Sequence, residues 1–226
     1  MKTRIKIDTS ILFILIIFTG ILFQFPRLYP KNVFLDDTLN FIGLWLVLTG
    51  IFFRMSARAH KKARSDKGHG LVTTGPYALV RNPMYLGTFL IGAGFILVVW
   101  PWFLLPVFTF LFFSRFKIQI RTEEQHLQEI FGPSYATYVR DVPGIFPRWK
   151  NFKTIRFKDV FLLEEIWSTK ERNGLLFFPF LVVALEFIQD QAVFGITNPI
   201  KILLIFIFSM VTFVAGIWFL SSFRKL

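Results

Sequence analysis

The middle of the chain carries a nearly uninterrupted apolar segment, residues 85–116, which reads YLGTFLIGAGFILVVWPWFLLPVFTFLFFSRF. A single proline divides it into two stretches, Tyr85–Trp100 and Trp102–Phe116. Proline interrupts a helix, and indole rings favour the headgroup level of a membrane. The segment therefore predicts a helical hairpin whose turn, with Trp100 and Trp102, lies at a membrane interface.

Four further apolar stretches flank this hairpin. They are Ser10–Phe25 and Thr38–Phe53 before it, and Leu175–Ile188 and Ile200–Leu220 after it. Only the last reaches the roughly 20 residues that comfortably span a bilayer core, so some of the others could be buried or partial spans. The predicted fold class is all-α, an integral membrane bundle of about six apolar helices.

The composition agrees with this interpretation. Of the 226 residues, 54% are hydrophobic and 18% are charged, whereas soluble domains have roughly 45–50% and about 25%. These values exclude a disordered chain, a collagen-like repeat and a highly charged solvated domain. The chain has no cysteine, which excludes a disulfide scaffold, a thiolate zinc site and a cysteine nucleophile.

The charge distribution predicts an orientation. The chain has 26 Lys and Arg against 14 Asp and Glu, a net charge of +12. In so apolar a protein this surplus indicates an anionic membrane surface rather than nucleic acid. With six crossings nearly all cations fall on one side, so the positive-inside rule places both termini in the cytoplasm. We expect a multi-pass protein of a bacterial inner membrane, or of the endoplasmic reticulum if the chain is eukaryotic.

Two polar segments border the hairpin, and the first is residues 69–87, HGLVTTGPYALVRNPMYLG. Gly75 and Pro76 form a turn signal, and Pro83 suits the first turn of a helix. A helix N-terminus at the interface favours an anionic group. The alternative is an interfacial loop in which Tyr77 and Tyr85 are anchors and Arg81 reaches the headgroups. His60, further upstream, is expected in a lipid-facing basic patch.

The second polar segment is residues 121–147, RTEEQHLQEIFGPSYATYVRDVPGIFP. A helical face formed by Phe116, Ile120, Leu127, Ile130 and Phe131 predicts that the fourth apolar helix continues into this segment. Gly132 and Pro133 are expected to stop it.

The same segment holds two adjacent glutamates, Glu123 and Glu124. Neighbouring side chains on a helix point about 100° apart, so at most one of the two faces a given site. Simple charge balance in a basic layer is the alternative role. Glu123 and His126 have a spacing that di-metal bundles use, but no second pair accompanies them. No metal site is predicted.

The two segments together, in this order and separated by the apolar hairpin, resemble the isoprenylcysteine carboxyl methyltransferases and the related membrane phospholipid methyltransferases. The resemblance covers about Lys67–Pro147. It implies an integral membrane enzyme without a Rossmann domain that takes a methyl group from S-adenosyl-L-methionine. The expected domains are N-terminal helices in 1–56, a methyltransferase core in 57–147, an interfacial linker in 148–174 and C-terminal helices in 175–226.

The resemblance also implies site residues. Cofactor-binding residues would be His69, Gly70, Leu71, Val72, Tyr77, Asn82, Pro83, Met84, Tyr85 and Glu123. Candidate catalytic or supporting residues would be Arg81 and Glu124. Asn82 stands where the eukaryotic enzymes usually have histidine, and Gln119 stands in the place of an arginine thought to face their prenylcysteine substrate. The part of the chain after about Arg148 has no counterpart in those enzymes.

The expected reaction is methylation of a carboxylate on a lipidic or prenylated acceptor. A sulfonium donor is already activated and a carboxylate is ionised at neutral pH, so alignment in a dry pocket can supply about 7–11 kcal/mol. One alternative is a phospholipid amine N-methyltransferase, whose acceptor must lose a proton, to Glu124 or to solvent. Another is a non-enzymatic membrane scaffold or transporter; a transporter should carry ionisable residues near the bilayer midplane. The expected partners are membrane lipids and the acceptor itself.

Overall fold

The computed structural model of the protein describes residues 2–65, 70–148, 172–195 and 198–222. Its helices are α1 (Lys2–Phe23), α2 (Val33–Arg64), α3 (Pro76–Leu79), α4 (Pro83–Val99), α5 (Leu105–Asp141), α6 (Arg172–Phe194) and α7 (Pro199–Ser222), with short 3-10 turns at Pro26–Leu28 and Trp102–Leu104. No strand occurs in these four ranges. The predicted all-α class is confirmed.

Within the described ranges, four helices are long and apolar enough to cross a membrane. The qualifying segments are Val33–Arg64, Trp102–Asp141, Phe177–Phe194 and Pro199–Trp218. Helix α4 is shorter, with 17 residues, and at 1.5 Å per residue it extends about 25 Å. Helix α2 has 32 residues and is therefore about 48 Å long, well beyond the roughly 30 Å of a hydrocarbon core. Its basic last turns project out of the apolar part of the bundle.

Glycines hold α2 and α4 together as an antiparallel pair. A Cβ atom on Gly43 would lie 2.7 Å from the carbonyl oxygen of Gly94, and one on Gly50 would lie 2.5 Å from that of Gly87. The two glycines of each helix are seven residues apart, on one face, and small residues let helix backbones approach closely in a membrane. This contact fixes the N-terminus of α4, where the first polar segment ends.

The predicted hairpin of α4 and α5 is present. The Phe108 ring packs on Gly92. At the turn, Trp102 is half exposed, while the Trp100 indole N–H donates a hydrogen bond of 3.0 Å to Thr19 Oγ1 of α1. Trp100 therefore ties the first helix to the hairpin as well as marking its end.

Helix α5 bends at Gly132, whose backbone is non-helical with φ 48° and ψ −121°. The expectation that Gly132 and Pro133 stop the helix is only half right, because a second helical segment continues to Asp141. Proline suits the first turn of a new helix, and glycine tolerates the positive φ before it. Ile130, two residues before the bend, is 56% exposed.

The bundle has two polar ends. We call one the site end; it contains the C-terminus of α2, the N-terminus of α4 and the second segment of α5. The other, the far end, contains the N-termini of α2 and α7 and the C-terminus of α6, where Lys201 Nζ lies 2.8 Å from Asp37 Oδ1. Because α2 and α4 are antiparallel, the C-terminus of α2 and the N-terminus of α4 lie at the site end, and the N-terminus of α2 lies at the opposite end of the bundle.

Candidate active site

The loop from Gly70 to Gly75 brings the first polar segment over the end of α2. The Gly70 N–H donates to the Ser65 carbonyl at 2.8 Å, and Val72 is buried. Gly75 has φ 62°, and a Cβ atom there would lie 2.7 Å from Cε1 of His60. Only glycine combines this backbone conformation with this contact. The predicted turn at Gly75 and Pro76 leads directly into α3.

The prediction that His60 lies in a lipid-facing patch is wrong. His60 is 1% exposed, with its ring against Gly75. Its Nε2 lies 2.8 Å from Thr74 Oγ1. The ring is enclosed because the loop folds back over α2. The cationic residues that surround His60 in the sequence do not predict this contact.

Arg81 and Glu124 form a bidentate salt bridge. Arg81 Nε donates to Glu124 Oε1 at 3.0 Å and Nη2 donates to Oε2 at 3.2 Å. The side chains are 15% and 23% exposed, so water screens the pair only partly. This geometry fixes both carboxylate oxygens and joins the start of α4 to α5.

The remaining Arg81 groups fasten the end of α5 to the same place. Nη1 donates to the carbonyl oxygens of Val139 at 3.1 Å and Val142 at 2.9 Å. The Arg81 backbone N–H donates to the Pro143 carbonyl at 2.8 Å. Arg81 therefore acts as the hub of three chain segments, with its donors directed at protein acceptors.

Asn82 belongs to the same network. Its side-chain amide donates to Glu124 Oε1 at 2.9 Å and to the Gly144 carbonyl at 3.3 Å, and its backbone N–H donates to the Gly144 carbonyl at 3.0 Å. Asn82 precedes α4 but makes no side-chain cap hydrogen bond to it. The amide is used to bind α5 and the Gly144 loop instead.

Glu123 faces a different neighbour. The Tyr85 hydroxyl donates to Glu123 Oε1 at 2.7 Å, and Gln119 Nε2 donates to the same oxygen at 3.3 Å. Glu123 itself is exposed. The two adjacent glutamates thus have separate partners, as the 100° angle between neighbouring helix positions predicts.

Tyr77 completes this side of the site. Burial is the largest cause that raises the pKa of its hydroxyl; the Arg58 guanidinium lowers this pKa and the Glu123 charge raises it, and the resulting value is about 12. The phenol therefore stays neutral at physiological pH, and its neighbours include both of those charges. The Tyr138 hydroxyl donates to the Tyr77 carbonyl at 2.6 Å, which anchors α3 to the second segment of α5.

The other predicted cofactor residues occupy varied positions. Pro83 is buried, and Gly70 and Met84 are half-buried. Leu71 packs against the buried cluster of Tyr135, Tyr138 and Val142. His69 lies outside the described residues, so its role stays a prediction.

Sequence reasoning missed Arg58, Tyr135 and Tyr138. The two tyrosines are three residues apart just after the bend, and that helical spacing is the signal that could have found them. Among the residues that the structure describes, no group of three or more histidine or acidic side chains could hold a metal ion.

The fold and site define a class: a helical membrane protein whose polar site forms at one end of the bundle, where a short apolar helix begins beside a long bent one. Residues 38–134 match the family model described as phospholipid methyltransferase. This match covers somewhat less than half of the chain and agrees with the predicted resemblance to membrane phospholipid methyltransferases. No solved structure matches the chain.

Three curated relatives illustrate the range of the similarity. A protein-S-isoprenylcysteine O-methyltransferase of Schizosaccharomyces pombe is 35% identical over 38% of this chain and 36% of its own length. The protein of the same name from Saccharomyces cerevisiae is 33% identical over 53% of this chain and 54% of its own. The cobalt-zinc-cadmium resistance protein CzcN of Cupriavidus metallidurans is 32% identical over 49% of each chain. The chain thus matches between about a third and about half of these relatives' length.

Proposed function

We propose that the protein is an S-adenosylmethionine-dependent membrane methyltransferase that methylates a carboxylate on a lipidic or prenylated acceptor. One observation carries the proposal: the network of Arg81, Asn82 and Glu124 unites the two polar segments that resemble this family. The united site lies beside apolar helices, so a water-soluble donor and a lipid-soluble acceptor can reach it from different directions.

The residues at the site fit the cofactor. Glu123 is exposed and accepts hydrogen bonds through Oε1, as a carboxylate that binds hydroxyl or amino groups must. The rings of Tyr77 and Tyr85 offer flat faces that suit a nucleobase and a positive sulfonium. When bound, the cofactor supplies an already activated methyl group. We propose that His69 and the backbone of Gly70–Val72 hold its polar ends.

Arg81 and Glu124 are proposed to act by positioning. Because the Arg81 donors are directed at Glu124 and at backbone carbonyls, the guanidinium holds the chain rather than the acceptor. The pair keeps α3, α4 and the end of α5 together and so excludes water from the reacting groups. Its loss should therefore lower turnover through disorder of the site.

The charge of the site end favours an anionic acceptor over an amine. The last turns of α2 present four exposed cations, which are Arg58, Lys61, Lys62 and Arg64. Such a cationic surface attracts carboxylates and repels ammonium groups. Glu124, the candidate base for an amine acceptor, is already held by Arg81 and Asn82. By the positive-inside rule we also propose that the site end and both termini face the cytoplasm.

A methyl-transfer assay tests the reaction. The protein in nanodiscs is incubated with methyl-labelled cofactor and either a farnesylcysteine acceptor or ethanolamine phospholipid. We expect label in a base-labile methyl ester, released as volatile methanol, because esters hydrolyse and N-methyl groups do not. Label in ethanolamine headgroups would support the amine reaction instead, and absence of transfer to any lipid extract would contradict both.

At a cofactor concentration near the wild-type Kd, Glu123→Ala should lower this labelling several-fold, since the change removes the exposed carboxylate. Glu129→Gln is the control, because Glu129 is exposed on the same helix and belongs to no part of the site.

A further inference from the structure

A second polar site lies at the far end of the bundle. A cavity of about 290 Å³ opens there, and its charged lining residues are Lys31, Asp36, Asp190 and Lys201. This volume is at the lower limit of the ~300–1,000 Å³ that small-molecule sites commonly have. The residues come from the turn before α2 and from the ends of α2, α6 and α7.

Beneath the residues that line this cavity lies a carboxylate that the described residues do not fully satisfy. Glu186 is 0% exposed. Its Oε1 accepts a hydrogen bond of 2.8 Å from Asn40 Nδ2, but its Oε2 is buried without a hydrogen-bond partner among the described residues. Such a group costs free energy unless a donor reaches it.

The position of Glu186 connects it to the cavity lining. It lies one helical turn below Asp190 on α6, and Asn40 lies one turn below Asp36 on α2. Asn40 Nδ2 is also 3.4 Å from Asp36 Oδ2. One side-chain amide therefore bridges the buried carboxylate to a carboxylate of the cavity wall.

The cluster has more carboxylates than lysines. It contains four carboxylates, from Asp36, Asp37, Glu186 and Asp190, and the ion pair of 2.8 Å with Lys201 engages one of them, Asp37. Buried carboxylates need partners. A ligand with an ammonium group supplies N–H donors that these carboxylates can accept.

The cavity also presents positive charge, so its ligand should carry both signs. We propose that the far end binds the headgroup of an ethanolamine phospholipid, with the ammonium between Asp36 and Asp190 and the phosphate toward Lys31 and Lys201. A primary ammonium offers three N–H donors to carboxylates. A quaternary choline offers none and is bound by cages of several aromatic rings, whereas this lining has a single aromatic residue, Phe194.

The surroundings favour a lipid over a soluble compound with the same headgroup. The cavity lies where three helices end, which is the headgroup level if they span a bilayer. Val33, which lines the cavity, is 65% exposed and the adjacent Phe34 is 80% exposed, so an apolar surface for acyl chains adjoins it.

The site is also remote from the proposed reaction. Asp36 and His60 are separated along α2 by about 36 Å at 1.5 Å per residue. The inference therefore stands independently of the proposed function.

Lipid retention measured by native mass spectrometry tests the inference. The protein is reconstituted with equimolar dioleoyl phosphatidylethanolamine, phosphatidylcholine and phosphatidylglycerol, and then extracted in mild detergent. We expect about tenfold preferential retention of the ethanolamine lipid. Asp190→Asn, and separately Asp36→Asn, should reduce that retention about tenfold. Asp141→Asn, which changes an exposed carboxylate at the site end, should not.

Several outcomes would overturn the inference. Equal retention of the three lipids would contradict the headgroup preference, and unchanged retention in the two aspartate variants would contradict the cavity as its location. Thermal stabilisation of lipid-free protein by phosphoethanolamine alone, to the same extent as by the lipid, would instead assign the cavity to a soluble compound. Lys201→Gln checks the phosphate side, and it should weaken retention without changing the selectivity against choline.

Discussion

Both ends of the bundle contain buried or half-buried carboxylates, but they satisfy them differently. At the site end, Glu124 receives two hydrogen bonds from Arg81 and one from Asn82. At the far end, Glu186 receives one from Asn40 and keeps a buried oxygen without a partner among the described residues. A satisfied network fixes structure, whereas an unsatisfied one calls for a ligand or a proton. We therefore interpret the Arg81–Glu124 network at the site end as structural and the Glu186 cluster at the far end as the proposed binding site.

Arg81→Met should produce the largest effect. It leaves Glu124 with Asn82 as its remaining donor and removes the Arg81 donor from two backbone carbonyls, which we expect to cost about 3 kcal/mol. Thermal unfolding in detergent should show a clearly lower midpoint, and methyl transfer should be lost. Arg81→Lys should rescue little, because an ammonium cannot reproduce the bidentate geometry. Arg140→Met, at an exposed position, is the control, and an equal loss in both would remove Arg81 from its role as hub.

Gly75→Ala should have the second largest effect. We expect backbone strain and the contact with His60 to lower the free energy of unfolding by about 2 kcal/mol. Gly132→Ala is the matched control: it also has a positive φ, but a Cβ atom there meets nothing within 4 Å. Its cost should be about 1 kcal/mol, from strain alone. The difference between the two midpoints isolates the His60 contact, and cofactor affinity should fall only in Gly75→Ala. Equal behaviour of both variants would mean that the His60 contact contributes nothing.

Glu123→Gln should affect binding and leave stability unchanged. The carboxylate is exposed, so we expect cofactor affinity to fall about tenfold, equivalent to about 1.4 kcal/mol. Isothermal titration calorimetry with the cofactor measures this change. An unchanged affinity would remove Glu123 from the proposed cofactor site, and a lowered unfolding midpoint would show that it supports the fold instead.

Glu186→Gln should give the smallest effect and the opposite sign. The amide keeps an acceptor for Asn40 while removing the buried charge, so the lipid-free protein should be unchanged or more stable by up to about 1 kcal/mol. Thermal unfolding after delipidation measures it. A destabilisation as large as that of Arg81→Met would show that the two ends are built alike, and the comparison would fail.

The sequence was most informative where a pattern is local. Apolar length predicted the helices, Pro83 predicted the start of α4, and the order of the two polar segments predicted the resemblance to membrane methyltransferases. It was least informative about contacts across the chain. The sequence does not predict which residues Gly43 and Gly87 contact. It also does not predict that a loop covers His60, which is surrounded by cationic residues.

Within the site the same division applies. The adjacency of Glu123 and Glu124 was enough to predict that they face different neighbours, because helix geometry fixes that angle. Which neighbour each one has depends on how α5 crosses α4. Tyr138 became a site residue because the bend at Gly132 turns the second segment of α5 back toward α3. The sequence marked the glycine and the proline, but not the direction of the bend.

By itself, then, the sequence determined that this chain is a helical membrane protein with a methyltransferase signature at its cationic end, since hydrophobic length, charge sign and motif order are properties of the chain. Only the tertiary structure decided that Arg81 serves as a hub and that Asp36, Asn40, Glu186 and Asp190 meet at the other end. Asn40 and Glu186 are 146 positions apart, and only the packing of α2 against α6 brings their side chains within hydrogen-bonding distance.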